Sequence, residues 1–447
     1  MTSTSNVFYR DLNKNYPIAS RGEGIYIYDS NKKKYLDGSS GALVANVGHG
    51  QKEIFDSMYE QMKSISFAHT SQFRTIVLEE YASKLSKITP GEIKYSYFVS
   101  GGSEALDTAI KMSRQYQLER GRSSKYKIIA RWTSFHGHTL GALSVGGYAE
   151  WRRPQEPNLI PVHHINPPNC FRCPLSLEYP SCQVKCALEL EEMILREGPE
   201  TISAFVFEPI IGSSASAVIA PSEYFKVVSE ICKKYDILMI ADEVMSGFGR
   251  TGEYFACNHW GIKPDIIISA KGISGGYAPL GAVLVHEKIY KAFKSGSGRF
   301  VHGFTHSGNP VSVSAGLATL KFIIKHDLLN NVKKLSSYLE GELKRLADEF
   351  SIIGDVRGKG FMWGLELVSD NKEMSFFDPE LKVTNNLVKI CFENGLIVYP
   401  SQKFHYGVYG DSIMIAPPII ISKDEIDELI SLLRKSLTQL INYKITG

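Results

Sequence analysis

Lys271 lies in "DIIISAKGISGGYAPLGA", directly after an apolar run and just before a glycine-rich turn. An amine placed there is poorly solvated, and desolvation lowers a lysine pKa until the neutral, nucleophilic form is available to attack a carbonyl carbon and form a Schiff base. Asp242 ends a second apolar run, "LMIAD". A carboxylate at the end of a buried strand requires a cationic or hydrogen-bonding partner; a protonated ring nitrogen is one, and Arg250 is another. In "VSGGSEALDTAIK" a strand closes at Ser100, Gly101 and Gly102 allow close backbone approach, and Ser103 and Glu104 open a helix whose free N–H groups favour an anion such as phosphate. Each feature also has an ordinary reading: a strand-end lysine reaching solvent, a salt bridge of Asp242 with Arg250 or another nearby base, and a helix N-cap with an acid in its first turn.

Their order favours a shared site. A phosphate cradle, then Phe135 and His136 of "SFHG", then the strand-end acid and the strand-end lysine supply what is needed to hold pyridoxal 5′-phosphate by its phosphate, ring face, ring nitrogen and aldehyde.

The elements that must position these groups alternate between short β-branched runs and longer amphipathic ones from about residue 95 to 325. Strands are expected at 95–100, 127–132, 204–209, 238–244, 265–272 and 281–286, with helical segments such as "SEYFKVVSEICKKYD" between them. That rhythm predicts an α/β domain with a mostly parallel central sheet. After it come a long charged helix, "NNVKKLSSYLEGELKRLADEF", short strands around "VRGKGFMWGLELV", and two further helices, which together read as a smaller α+β domain. The N-terminal "GIYIYDSNKKKYLDGSS" reads as a hairpin that packs onto that smaller domain. The expected division is residues 1–60 for the N-terminal part of the small domain, 61–328 for the large cofactor-binding domain and 329–447 for the rest of the small domain.

The 447 residues carry a net charge of +3, with 43% hydrophobic and 22% charged residues, without the basic excess of a nucleic-acid binder. The first residues lack a signal pattern and no apolar run is long enough to span a bilayer, so a cytoplasmic protein is expected. Seven cysteines in such a chain are expected as reduced thiols. Four of them, Cys170, Cys173, Cys182 and Cys186, are spaced C-x2-C-x8-C-x3-C; a zinc knuckle is one reading of that spacing, and free or paired thiols without metal are the expected one.

From "YLDGSSGALVANVGHG" through "FVSGGSEALDTAIKMSRQY", "SFHGHTLGALSVGG", "FEPIIGSSASAVIAP", "LMIADEVMSGFGRTGEYFACNHWGIKPDIIISAKGISGGYAPLGAV" and "HGFTHSGNPVSVSAGLATL" to "GDVRGKGFMWGLELV" and "IMIAPPIIIS", the chain resembles the class III (ω-type) aminotransferases, pyridoxal-phosphate enzymes of fold type I. The resemblance implies that Lys271 binds the cofactor's aldehyde and later moves a proton at the substrate carbon, and that Asp242 holds the ring nitrogen protonated. It further implies that Gly102 and Ser103 form the phosphate cup, that Phe135 and Val244 press on the two ring faces, and that His136 and Glu208 are also cofactor contacts. Thr305 is implied to reach the phosphate in the neighbouring subunit, hence a homodimer with shared sites. The reaction implied is transfer of an amino group from a primary amine or ω-amino acid to a 2-oxo acid; the same scaffold also hosts decarboxylating transamination, racemisation and amino shifts. Three positions depart from common family patterns: Met245 replaces a glutamine, Tyr399 stands where amine-using relatives often have arginine, and Ser213 where some carry glutamate. The substrate-carboxylate site is therefore unassigned, with Arg152, Arg153, Arg357 and Lys403 as candidates. An aromatic loop around His405, Tyr406 and Tyr409 is read as either a pocket for an apolar or aromatic amine or packing at an interface.

Overall fold

A computed structural model of the chain describes residues 5–442. Its centre is a seven-stranded sheet in the order Ile93–Val99, Gly281–His286, Ile266–Ser269, Leu238–Asp242, Ile202–Phe207, Lys127–Arg131 and His163–Ile165. The last five strands pair in parallel. Gly281–His286 runs antiparallel to both of its neighbours. Ile202–Phe207, Leu238–Asp242 and Ile266–Ser269 are buried along their whole length, as expected for strands covered on both faces, and this is why they read as continuous apolar runs. Alternation still sorts their side chains. Val206, Ile240 and Ile268 pack with Ala105, Leu106 and Ala109 of the helix Gly102–Glu119 on one face. Phe205, Met239 and Ile267 pack on the other with the helices Lys185–Glu197 and Tyr224–Lys234.

Five of the six expected strands stop one to three residues early, and two of these stops set candidate site residues. The backbone N–H of Val244 donates to Asp242 Oδ1 at 3.0 Å, a local turn that competes with the sheet ladder, so the strand ends at Asp242 rather than at 244. The next strand ends at Ser269, and Lys271 opens a short 3-10 turn with φ of 51°. The edge strand His163–Ile165 was not expected; three residues, two of them histidine, carry no periodic signal.

Beyond the large sheet, the helix Leu328–Glu349 leads to a four-stranded antiparallel sheet of Ile353–Lys359, Met362–Leu367, Tyr409–Ile415 and Tyr399–His405. The N-terminal hairpin of Tyr26–Asp29 and Lys34–Asp37 is closed by Asp29 Oδ1, which accepts from the N–H groups of Asn31 and Lys33 at 2.9 Å each. Lys34–Asp37 then pairs in parallel with Leu396–Ile397, joining the two ends of the chain in one sheet. The segment around His405, Tyr406 and Tyr409 forms the tip of a β-hairpin. His405 and Tyr409 lie 4.9 and 5.8 Å from the Phe376 ring, so this aromatic group packs within the C-terminal unit. Among the described residues no helix is long and apolar enough to cross a membrane.

Candidate active site

The carboxyl ends of parallel strands form the crevice where α/β proteins bind ligands, and the residues singled out from sequence converge there. Asp242 is buried; its Oδ2 lies 2.7 Å from His136 Nδ1 and accepts a hydrogen bond from Nδ1–H in the tautomer that leaves Nε2 with its lone pair. That Nε2 is buried and has no partner among the described residues. The alternative partner, Arg250, does not reach Asp242. It is fully buried, donates to the carbonyls of Phe361 and Pro417 and to Ser40 Oγ, and burial pulls its pKa down to about 9. Glu243 points away from Asp242 and binds Ser246 Oγ and the backbone N–H of Cys257, so only the first acid of the pair belongs to the site.

Lys271 is positioned by register. Asp242 lies beside Ile268, and Glu243 N–H donates to Ile268 O, which places the turn that carries Lys271 next to the end of the Asp242 strand. Lys271 retains some accessible surface, yet burial pulls its pKa down to about 8 against the opposing pull of Asp242 and Glu208. Its left-handed φ is an uncommon, strained conformation for a lysine, the kind that persists where surrounding structure holds a functional group in place.

The residues expected to form the phosphate cup meet the same place. Gly101 is extended and leaves the N-terminus of the 18-residue helix Gly102–Glu119 without a side-chain cap, while Glu104 folds back to accept from Ser100 N–H at 2.7 Å. A Cβ at Gly102 would lie 3.2 Å from Val244 Cγ2 and 3.6 Å from Ala270 Cβ, so Gly102, Val244 and the residue before Lys271 enclose one space. Ser103 Oγ accepts from His138 N–H at 3.0 Å. Gly137 lies against it: φ is 134° and a Cβ there would fall 2.3 Å from Ser103 Oγ, a constraint that sequence alone did not reveal.

Glu208 has a structural basis that the sequence did not supply. Its two oxygens accept from Phe135 N–H at 3.1 Å and Gly212 N–H at 2.7 Å, and burial raises its pKa. It thus fixes the backbone of the residue proposed to face the ring. Met245 packs beside Gly212 and Glu208 and can donate no hydrogen bond there. Thr305 is exposed on a turn of this chain.

None of the four candidates for a carboxylate site is free. Arg152 is buried and donates to the carbonyls of Leu143, Ser144 and Gly146. Arg153 donates to Tyr406 O, Lys403 to Glu150 at 2.7 Å, and Arg357 to Asp355, Glu366 and two carbonyls. The four cysteines of the C-x2-C-x8-C-x3-C segment line a cavity of about 20 Å³ with their thiols free, and no group of three or more His, Cys, Asp or Glu among the described residues has metal-holding geometry.

A desolvated amine, a buried carboxylate, a buried imidazole nitrogen without a protein partner and a side-chain-free cradle at a helix N-terminus are the donor set that pyridoxal phosphate requires. Comparison with known proteins agrees. The model of the class-III aminotransferases matches residues 9–437. An uncharacterised aminotransferase, YodT, of Bacillus subtilis is 41% identical over 96% of each chain. The putrescine–pyruvate aminotransferase of Pseudomonas aeruginosa is 35% identical over 96% of this chain and 92% of its own. The structure of a pyridoxal-phosphate-bound amine transaminase from an uncultivated Pseudomonas species superposes with a TM-score of 0.90 at 30% identity, covering 98% of both chains. The chain therefore belongs to the class-III aminotransferase family and is a pyridoxal-phosphate-dependent aminotransferase.

Proposed function

We propose that this aminotransferase moves an amino group from a primary amine or ω-amino acid to a 2-oxo acid such as pyruvate, in a ping-pong cycle. The observation that carries the proposal is the placement of Lys271, an amine held near neutrality between the Asp242 strand end and the Gly102 cradle. When bound, pyridoxal phosphate supplies the electron sink for breaking a Cα–H bond and carries the amino group between half-reactions. Lys271 Nζ would hold that group by condensing with its aldehyde with loss of water and, once displaced by the substrate amine, would accept and return the proton at the substrate carbon. Asp242, oriented by His136 Nδ1 and Val244 N–H, offers a fixed negative charge to the ring nitrogen. Phe135 and Val244 confine the ring, Gly102 and Ser103 present backbone N–H groups to the phosphate, and Glu208 holds Phe135 in position.

Thr305, exposed on one chain, is assigned to the site of a second copy, and the homodimer this requires is supported by an apolar groove of about 700 Å³. Leu78, Tyr97, Phe300, Ser307 and Gly308 are among the residues that line the groove. A cytoplasmic setting and a division at residues 60 and 328 complete the proposal.

The test is the visible spectrum of the purified protein before and after addition of alanine, β-alanine, 4-aminobutyrate, a diamine or 1-phenylethylamine. The expected result is that one amine bleaches the band of the bound cofactor, that pyruvate restores it, and that Lys271→Ala lacks the response. A band that no amine disturbs refutes the proposal.

A further inference from the structure

A cavity of about 270 Å³ opens beside Phe135, between Trp151, Ser213, Tyr399 and the segment ahead of the first strand. That segment delivers Arg10, whose guanidinium carbon lies 5.5 Å from the Trp151 ring centre. A cation–π contact of this kind holds a guanidinium at the ring while leaving its edge N–H groups available. Among the described residues Arg10 donates to no carboxylate, whereas every other cation considered for this role is already engaged with backbone or side-chain oxygens. Glu150 also lines the cavity, but its oxygens are taken by Lys403 Nζ at 2.7 Å and Tyr148 OH at 2.9 Å. Ser213 and Tyr399, polar and without charge at neutral pH, also line the cavity. The cavity thus has one positive group without an anionic partner, the hydroxyl side chains of Tyr148, Ser213, Ser214, Tyr399 and Ser401, and one wall, Phe135, shared with the Lys271 site.

We infer that Arg10 binds the carboxylate of the substrate, so that the chain carries its carboxylate recognition in its N-terminal segment. This rests on the transaminase reading above and extends it to a class: molecules that pair the reacting amine or carbonyl with a carboxylate, namely ω-amino acids and 2-oxo acids. The planar fork of arginine can hold a carboxylate with two parallel hydrogen bonds, and residues 399 and 213 leave that fork unneutralised. Arg10 is exposed and lies outside regular structure, so its replacement spares the fold.

The experiment compares wild type, Arg10→Ala and Arg10→Lys in three measurements: efficiency with pyruvate, the ratio of efficiencies for 4-aminobutyrate and 1-aminobutane, and calorimetric binding of propionate, which has neither amine nor keto group. Loss of a charged hydrogen-bonding partner predicts a ten- to a hundredfold fall, roughly, in all three for Arg10→Ala, appearing in KM rather than kcat, with partial recovery in Arg10→Lys. If wild type responds to amines while Arg10→Ala matches it in the ratio and in propionate binding, the inference is overturned and the transaminase reading stands. If wild type responds to no amine, both fall.

Discussion

The lowered pKa of Lys271 gives a prediction whose size follows from the structure. At an ordinary lysine pKa of 10.5, about 0.1% of the amine is neutral at pH 7.5; at about 8, the fraction is roughly a quarter, a gain of about two-hundredfold in nucleophile. Each pKa unit corresponds to about 1.4 kcal/mol, so keeping the ammonium form in this site costs about 3 kcal/mol relative to water. Trace labelling of the cofactor-free protein with acetic anhydride between pH 6 and 11, read by mass spectrometry of the Lys271 peptide, measures the titration directly. The expected midpoint is near 8. The Asp242 carboxylate opposes the effect of burial, since its negative charge favours the ammonium, so Asp242→Asn moves the midpoint lower still. The linkage follows: between pH 8 and 10.5 the unfolded chain binds more protons at Lys271 than the folded chain, so this group's contribution to stability rises with pH across that window. In Lys271→Met that rise disappears. A midpoint near 10.5, or an upward movement in Asp242→Asn, would refute the account of Lys271 as an amine desolvated by its strand end and held against Asp242.

Two other replacements probe the frame around it. Glu208→Gln keeps the shape but turns an amide N–H₂ toward either Phe135 N–H or Gly212 N–H, so one buried donor loses its acceptor; a loss of about 1–3 kcal/mol in chemical denaturation is expected, together with weaker retention of the cofactor. Unchanged stability would mean that Glu208 does not hold both N–H groups. Gly137→Ala places a methyl against Ser103 Oγ on a backbone with φ of 134°, so pyridoxal phosphate affinity, followed by tryptophan fluorescence, is expected to fall at least tenfold, while the melting temperature moves by only a few degrees. Wild-type affinity in this variant would separate Ser103 from phosphate binding.

The large sheet was legible in the chain because buried parallel strands must be apolar without interruption and the helices between them must alternate; the sequences around Asp242 and Lys271 display both. The acid, the amine and the glycine cradle were legible for the same reason, since each breaks an apolar run with a group that needs a partner. The strand His163–Ile165 was not legible, because two histidines in three residues have no period; its place is set by pairing with Lys127–Arg131. What the chain could not disclose was partnership between residues far apart in it. His136 reaches Asp242 across 106 positions, Glu208 fixes Phe135 across 73, and Gly137 is required only because Ser103 lies against it. The fate of the basic residues was likewise decided in three dimensions: Arg152, Arg153, Arg357 and Lys403 are taken up by carbonyls and carboxylates, and Arg10, which sequence reading passed over, stands at the cavity. Local chemistry determines which residues can act; only the folding of distant segments onto one strand-end crevice determines which of them meet.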